Sequence, residues 1–162
     1  MAGPTPPATG PAPAPPPLPA VFRPRRARIV SLTLAAVVLA LLTVVALVLP
    51  GGPRGFHTPD RIGVFAVGVA VAGALWVLAR PRLVAEDRGL TVVNLLRTRF
   101  LEWPEVIRVG FRRGDPWVLL DLADGETLAV MAIQANDGER AVAAVRALRA
   151  LVAAQSPTDQ ND

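Results

Sequence analysis

Two long apolar stretches dominate the hydrophobic pattern of the chain. Residues 29–49 hold 18 apolar residues and three small hydroxyl residues, and residues 62–79 run for 18 positions without a charge. At 1.5 Å per residue, helices of these lengths measure about 31 Å and about 27 Å, close to the roughly 30 Å hydrocarbon core of a bilayer. The connector, residues 50–61, contains Gly-Gly-Pro and Thr-Pro turn signals. We therefore predict a two-helix transmembrane hairpin over residues 29–79.

Beyond residue 80 the pattern changes to short apolar runs separated by turns. Strands are predicted at residues 83–86, 90–95, 98–103, 106–113, 117–123 and 126–132. The Asp124-Gly125 pair between two of these runs predicts a type I′ hairpin turn. From residue 136 or 137, apolar residues recur every three or four positions, which predicts an amphipathic helix to about residue 154. The predicted fold class is α+β, with the hairpin followed by an antiparallel β-sheet or barrel that a C-terminal α-helix caps.

The two ends of the chain lack apolar periodicity. Residues 1–24 contain ten prolines, so this segment cannot bury enough surface to offset its ordering entropy. We predict a disordered, Pro-rich cytoplasmic tail over residues 1–28 and a second disordered tail over residues 155–162. The folded domain is then expected to occupy residues 80–154.

Arginine supplies every basic side chain, because the 17 basic residues include no lysine. Four arginines precede the first apolar stretch, Arg80 and Arg82 follow the second, and the connector carries only Arg54 and Arg61. By the positive-inside rule, this asymmetry predicts a multi-pass protein of the cell (inner or plasma) membrane with both termini cytoplasmic. Residues 80–154 hold 11 Arg against 10 acidic residues, so this nearly neutral region predicts no nucleic-acid partner.

The residue types exclude most catalytic chemistry. The chain has no cysteine and no tyrosine, its single histidine is His57 in the connector, and its serines are Ser31 and Ser156. A Ser–His–Asp arrangement or a thiolate site therefore cannot form in residues 80–154. We predict that the protein is not an enzyme and has no catalytic residue, cofactor, metal or small-molecule substrate.

Two short segments and the order of the elements carry a family resemblance. The segments Gly89-Leu90-Thr91-Val92 and Trp103-Pro104-Glu105-Val106-Ile107 resemble those of bacterial pleckstrin-homology (PH) domains. With two apolar stretches upstream, the chain is similar to small actinobacterial two-span membrane proteins that end in such a domain. The resemblance implies a PH fold, which usually has seven strands where six are predicted here. It does not imply phosphoinositide binding, because the first predicted hairpin carries only Arg88.

These observations predict a non-catalytic interaction module held at the cytoplasmic membrane face. Its partner would be a membrane or cytoplasmic protein, or a second copy of the chain, in addition to the lipid bilayer itself. The alternative is a module that binds anionic lipid headgroups, with Arg80 and Arg82 also facing the leaflet. A channel or transporter is disfavoured because the predicted spans carry no charge. Candidate contacts for the partner or lipid are Arg97, Arg99, Arg112, Arg113 and Trp117.

Overall fold

The computed structural model of the protein describes residues 14–52 and 55–155. Residues 1–13 of the predicted tail, Arg54 of the connector and residues 156–162 of the second tail lie outside these ranges. The helices are α1 (Arg25–Val48), α2 (Thr58–Leu78) and α3 (Glu139–Gln155). The strands are β1 (Ala20–Phe22), β2 (Arg82–Glu86), β3 (Gly89–Val93), β4 (Thr98–Glu102), β5 (Val106–Gly110), β6 (Trp117–Leu122) and β7 (Thr127–Gln134), and 3₁₀ turns form at Trp103–Glu105 and Ala135–Asp137.

Helices α1 and α2 form the expected antiparallel hairpin, and small residues allow their close approach. Gly68 is buried in the seam, where a Cβ would lie 3.2 Å from the Leu42 Cβ. On α1 the buried positions are Ala35 and Ala46. The alanines that recur at four-residue spacing are exposed, namely Ala36 and Ala40 on α1 and Ala66, Ala70 and Ala74 on α2. Both helices are long and apolar enough to cross a membrane.

Each helix begins one turn before its apolar stretch, because local capping groups extend it. In α2 the start is shifted from residue 62 to Thr58, where Pro59 fits the first turn and Asp60 Oδ2 accepts the His57 N–H at 2.9 Å. Arg61 then reaches back to the end of α1, and its guanidinium donates to the carbonyls of Ala46, Leu47 and Leu49 at 2.6–2.8 Å. These carbonyls have no partner within the helix, so Arg61 caps α1.

The strands form two antiparallel sheets, one with the order β1-β2-β3-β4 and one with the order β5-β6-β7. Six of them match the predicted strands to within a few residues. In the ranges described, no backbone pairing joins the two sheets. The sequence allowed either a sheet or a barrel, and these strands do not form a closed barrel. Instead the Asn94 side chain connects the two sheets: its Nδ2 donates to Ala129 O at 2.7 Å, and its Oδ1 accepts from Met131 N at 3.1 Å.

The seventh strand comes from a segment where the sequence predicts disorder. β1 lies upstream of the hairpin and pairs with β2, so that Phe22 faces Leu83 in the register. The prediction of a disordered tail is therefore wrong for residues 20–28, which form β1 and the first turn of α1. A three-residue strand beside prolines has no periodicity of its own. It is ordered because the edge of β2, some sixty residues later in the chain, supplies its hydrogen-bond partners.

Two turns depend on glycine. Gly89 follows the β2–β3 turn with a positive φ, and any side chain there would collide with the main-chain oxygen of Leu101. In the β6–β7 turn only Gly125 has a positive φ, and its N–H bonds to Leu122 O at 3.0 Å. A type I′ turn would also require a positive φ at Asp124, so the predicted turn type is wrong. Four residues, 123–126, lie between β6 and β7, and the glycine is the third of them.

The core lies between the two sheets and α3. Its fully buried members are mainly leucines and valines from both sheets, with Leu148 and Leu151 contributed by the helix. Trp103 closes one side of the core, and its indole N–H lies 3.1 Å from Glu86 O and 3.2 Å from Asp87 O. Phe22 and Ala20 of β1 pack against the same cluster, so the upstream strand belongs to the domain.

Candidate functional site

The junction between the hairpin and the domain is built from both ends of the hairpin. β1 ends two residues before Pro24, which precedes α1, and three residues, 79–81, lie between the end of α2 and the start of β2. Because β1 and β2 are paired neighbours, the two helices leave the same edge region of one sheet. The domain is therefore held by two connections and not only by the short segment at residues 80–82 that follows α2.

The buried carboxylate of Asp137, in the 3₁₀ turn that follows β7, holds this junction to the second sheet. Asp137 accepts the N–H groups of Arg25 at 3.0 Å and Arg26 at 2.9 Å, which are the first two residues of α1. Pro24 offers no side-chain cap, and the Arg26 guanidinium also donates to Asn136 O at 2.7 Å. A negative charge at a helix N-terminus accepts hydrogen bonds from the unpaired N–H groups and is attracted by the positive end of the helix dipole. Asp137 thus performs the capping that the residues just before α1 do not.

A cavity of about 290 Å³ lies on the same junction and is lined by four arginines. Arg23 follows β1, Arg28 is in the first turn of α1, and Arg80 and Arg82 connect α2 to β2. Among residues 14–52 and 55–155, no acidic residue lines this cavity. The Arg80 guanidinium lies 5.6 Å from the ring centre of Trp76, within the range of a cation–π contact. The cavity is therefore a concentration of positive charge with an aromatic wall.

The β3–β4 turn presents an apolar tip beside this cavity. Val93, the last residue of β3, lines the cavity, and the turn continues through Asn94 to Arg97, closed by an Asn94 N–H bond to Arg97 O at 2.9 Å. At its tip Leu96 is 91% exposed. Arg82 and Val93 are paired in the register, so the turn is at the end of the sheet from which α2 enters.

The structure separates the residues that the sequence proposed as contacts. Arg97 lies in the β3–β4 turn beside the cavity. Arg99 instead donates to Glu126 at 2.6 Å and to Asp124 at 3.2 Å. The hydrogen bond to Glu126, together with the one to Asp124, raises the pKa of the Arg99 guanidinium. Arg99 is thus paired with two carboxylates of the domain.

The remaining three candidates lie in or beside the β5–β6 turn. Arg112 and Arg113 are exposed there, and Trp117 is half-buried at the first position of β6. The Ala135 N–H donates to Pro116 O at 3.0 Å, which places this turn next to the segment that contacts α1. The structure therefore brings these three residues together on the hairpin side of the second sheet.

Sequence reasoning did not include Arg23 and Arg28 in any site. These two arginines served only to orient the hairpin in the membrane. No local pattern in the sequence indicates that the segments around β1, α1 and β2 lie close together. The four basic residues just before an apolar stretch were the one signal available. In residues 14–52 and 55–155 no group of three His, Asp or Glu side chains is placed to hold a metal ion.

Comparisons with known proteins agree with this architecture. Residues 80–151 match the family model described as bacterial PH domain. The chain is 48% identical over 102 residues to the uncharacterized proteins Mb1452 of Mycobacterium bovis and Rv1417 of Mycobacterium tuberculosis. Each match covers 63% of this chain and 66% of the relative. The chain therefore spans slightly less than two thirds of the length of these relatives. No solved structure gives a significant match.

Proposed function

Because residues 80–151 match the family model described as bacterial PH domain, we propose that the protein displays this domain as a non-catalytic interaction module on the cytoplasmic face of the cell membrane. The hairpin is the anchor, and both termini are cytoplasmic. One observation carries the proposal: two long apolar helices with exposed surfaces leave the domain from the same sheet.

The exposure of the helices supports a membrane setting over a soluble one. Only 11% of the most apolar 18-residue stretch of α1 is buried, and only 6% of that of α2. On the two helices, 16 large apolar residues are exposed. Burying one such side chain contributes about 1.5–3 kcal/mol, so leaving all of them in water costs tens of kcal/mol. A bilayer covers both helices on all sides, whereas a second copy would cover one face.

The distribution of charge supports the cytoplasmic placement. Six arginines precede α1, lie in its first turn or follow α2, and all of them lie at the domain end of the hairpin. At the opposite end, the described part of the connector carries only Arg61, whose guanidinium is bound to α1 carbonyls. Positive charge favours the cytoplasmic side of a membrane. The exposed Leu96 at the same end of the sheet suits the interfacial region of that leaflet.

The β5–β6 turn is the partner surface that we propose. Arg112 and Arg113 are exposed and flank the turn that leads to the half-buried Trp117, and Arg and Trp are the residue types enriched where protein partners bind. Its occupant would be a membrane or cytoplasmic protein, or a second copy. A photo-reactive residue at position 117 should cross-link a discrete product in cells, and Arg112→Ala/Arg113→Ala should abolish it. The same probe at Arg88 should give no such product, and identical products at both positions would contradict this surface.

Membrane insertion and orientation can be tested with single cysteines, because the chain has none. The variant Thr58→Cys lies at the start of α2, and Arg113→Cys lies in the domain. Membrane fractions washed with alkaline carbonate should retain the protein. A membrane-impermeant maleimide should label Thr58→Cys on intact cells and Arg113→Cys only after permeabilisation. Release by carbonate would refute the anchor, and the reverse labelling pattern would refute the orientation.

A further inference from the structure

We propose that the arginine-lined cavity at the junction binds the phosphate group of an anionic glycerophospholipid from the adjoining leaflet. This inference rests on the membrane setting proposed above, since the lipid is reached only if the hairpin spans a bilayer. The site belongs to the hairpin and the domain together. Arg23, Arg28 and Trp76 precede the family match at residue 80, whereas Arg80 and Arg82 lie within it.

The positive charges of the cavity favour an anionic ligand. The four guanidinium groups of the cavity are cationic hydrogen-bond donors. None of them forms an ion pair with any residue in the ranges described, whereas Arg99 has two carboxylates of its own. Four like charges around one cavity repel one another, and this repulsion costs folding free energy. An oxyanion among them removes that repulsion and accepts hydrogen bonds, and the guanidinium fork matches the geometry of a phosphate.

The shape of the cavity selects a lipid over a free anion. Its polar part lies at the end of the hairpin, where the headgroup region of a leaflet would be. On the membrane side, its wall is made by Leu32, one turn above Arg28, and by Trp76, one turn before Arg80. Both side chains are partly exposed, Leu32 at 36% and Trp76 at 56%. A glycerophospholipid carries its anionic phosphate on the aqueous side of its glycerol and acyl chains, which complements this order of basic and apolar groups.

The helix N-terminus contributes little to this site, because its first N–H groups are already bound. Asp137 accepts the N–H groups of Arg25 and Arg26, and Asp137 does not line the arginine cavity. The anion would therefore be held by side chains. Arg80 is oriented by its contact with Trp76, so the test leaves it in place and changes Arg28 on α1 and Arg82 on β2.

The test uses the full-length protein in an uncharged detergent, mixed with equal amounts of phosphatidylglycerol and phosphatidylcholine. Native mass spectrometry counts the lipid molecules that stay bound. The wild type should retain phosphatidylglycerol in preference to phosphatidylcholine. Arg28→Gln/Arg82→Gln should weaken phosphatidylglycerol binding about thirtyfold, which corresponds to about 1 kcal/mol for each arginine. The control Arg88→Gln/Arg146→Gln removes the same charge from exposed positions outside the cavity and should change binding by less than twofold.

Three results would overturn the proposal. Equal retention of the two lipids by the wild type would show that the site does not select an anion, and this comparison requires no variant to fold. Equal losses in the test and control variants would show that only net charge matters. Displacement of phosphatidylglycerol by an equal concentration of inorganic phosphate would show a site for free anions. Release of the protein by carbonate would instead refute the membrane setting, so the two failures are distinguishable.

Discussion

Replacing Asp137 with alanine should loosen the domain from the base of α1. The carboxylate is buried and accepts two main-chain N–H groups at 2.9–3.0 Å. A hydrogen bond to a charged group contributes about 1.5–3 kcal/mol, and loss of a helix N-cap costs about 0.5–2 kcal/mol. The two bonds share one carboxylate, and water can replace part of them. We therefore expect the free energy of locally opening the junction to fall by about 2–4 kcal/mol.

Hydrogen–deuterium exchange of the full-length protein measures this opening directly. The amides of Arg25 and Arg26 exchange when the junction opens, so a loss of 2–4 kcal/mol should accelerate exchange in residues 20–28 by roughly 30- to 900-fold. Asp137→Asn should give a smaller acceleration, because its amide oxygen still accepts one bond without the charge. Asp87→Ala, in the exposed β2–β3 turn, is the matched control and should leave these amides unchanged.

The reasoning would be refuted if Asp137→Ala left exchange in residues 20–28 within about twofold of the wild type. The junction would then be held by β1 pairing alone. An equal acceleration throughout the domain would also contradict it, since that pattern indicates global destabilisation. The expected signature is a change confined to β1 and the first turn of α1.

Three further substitutions test other contacts. Gly68→Val should lower the thermal unfolding temperature in detergent, because overpacking against Leu42 costs about 1–3 kcal/mol. Arg61→Gln should accelerate amide exchange in the last turn of α1 by roughly 5- to 30-fold, because three carbonyls lose their donor at a cost of about 1–2 kcal/mol. Asn94→Ala should lower the denaturant midpoint of the domain, since two main-chain groups of β7 lose partners at about 1–3 kcal/mol.

Each of these substitutions has a matched control in the chain. Gly73→Val places the same side chain where nothing lies within 4 Å, so equal destabilisation by both variants would contradict the seam at Gly68. Arg88→Gln removes an exposed arginine outside the hairpin, and it should leave the end of α1 protected. Asn136→Ala changes an exposed side chain, and a midpoint shift as large as that of Asn94→Ala would argue against the inter-sheet bridge.

Much of the fold follows from local pattern. The alternation of buried and exposed side chains in β6, from Trp117 to Leu122, is visible in the sequence, as is the helical spacing of Val145, Leu148 and Leu151. Both signals depend only on neighbours a few positions apart. Boundaries were less accurate, because the first turns of α1 and α2 depend on capping groups such as Asp137 and Asp60.

The candidate site was only partly predictable. Arg80 and Arg82 were correctly linked to the end of the hairpin, since they directly follow its second apolar stretch. Arg99 was proposed as a ligand contact, but it pairs with Asp124 and Glu126, which are 25 and 27 residues away. Opposite charges on separate strands find each other only when the sheets are formed. Local charge counts therefore could not separate free arginines from engaged ones.

The sequence by itself determined the two apolar helices, six of the seven strands, the closing helix and the absence of cysteine chemistry. These properties depend on residue type and on spacings within one element. The tertiary structure alone decided that β1 completes the sheet, that Asp137 caps a helix 112 residues upstream, and that four arginines share one cavity. Each of these contacts joins segments far apart in the chain. Each forms because a group left unsatisfied by its own neighbours, whether a strand edge or a helix end, finds its partner only after the chain has folded.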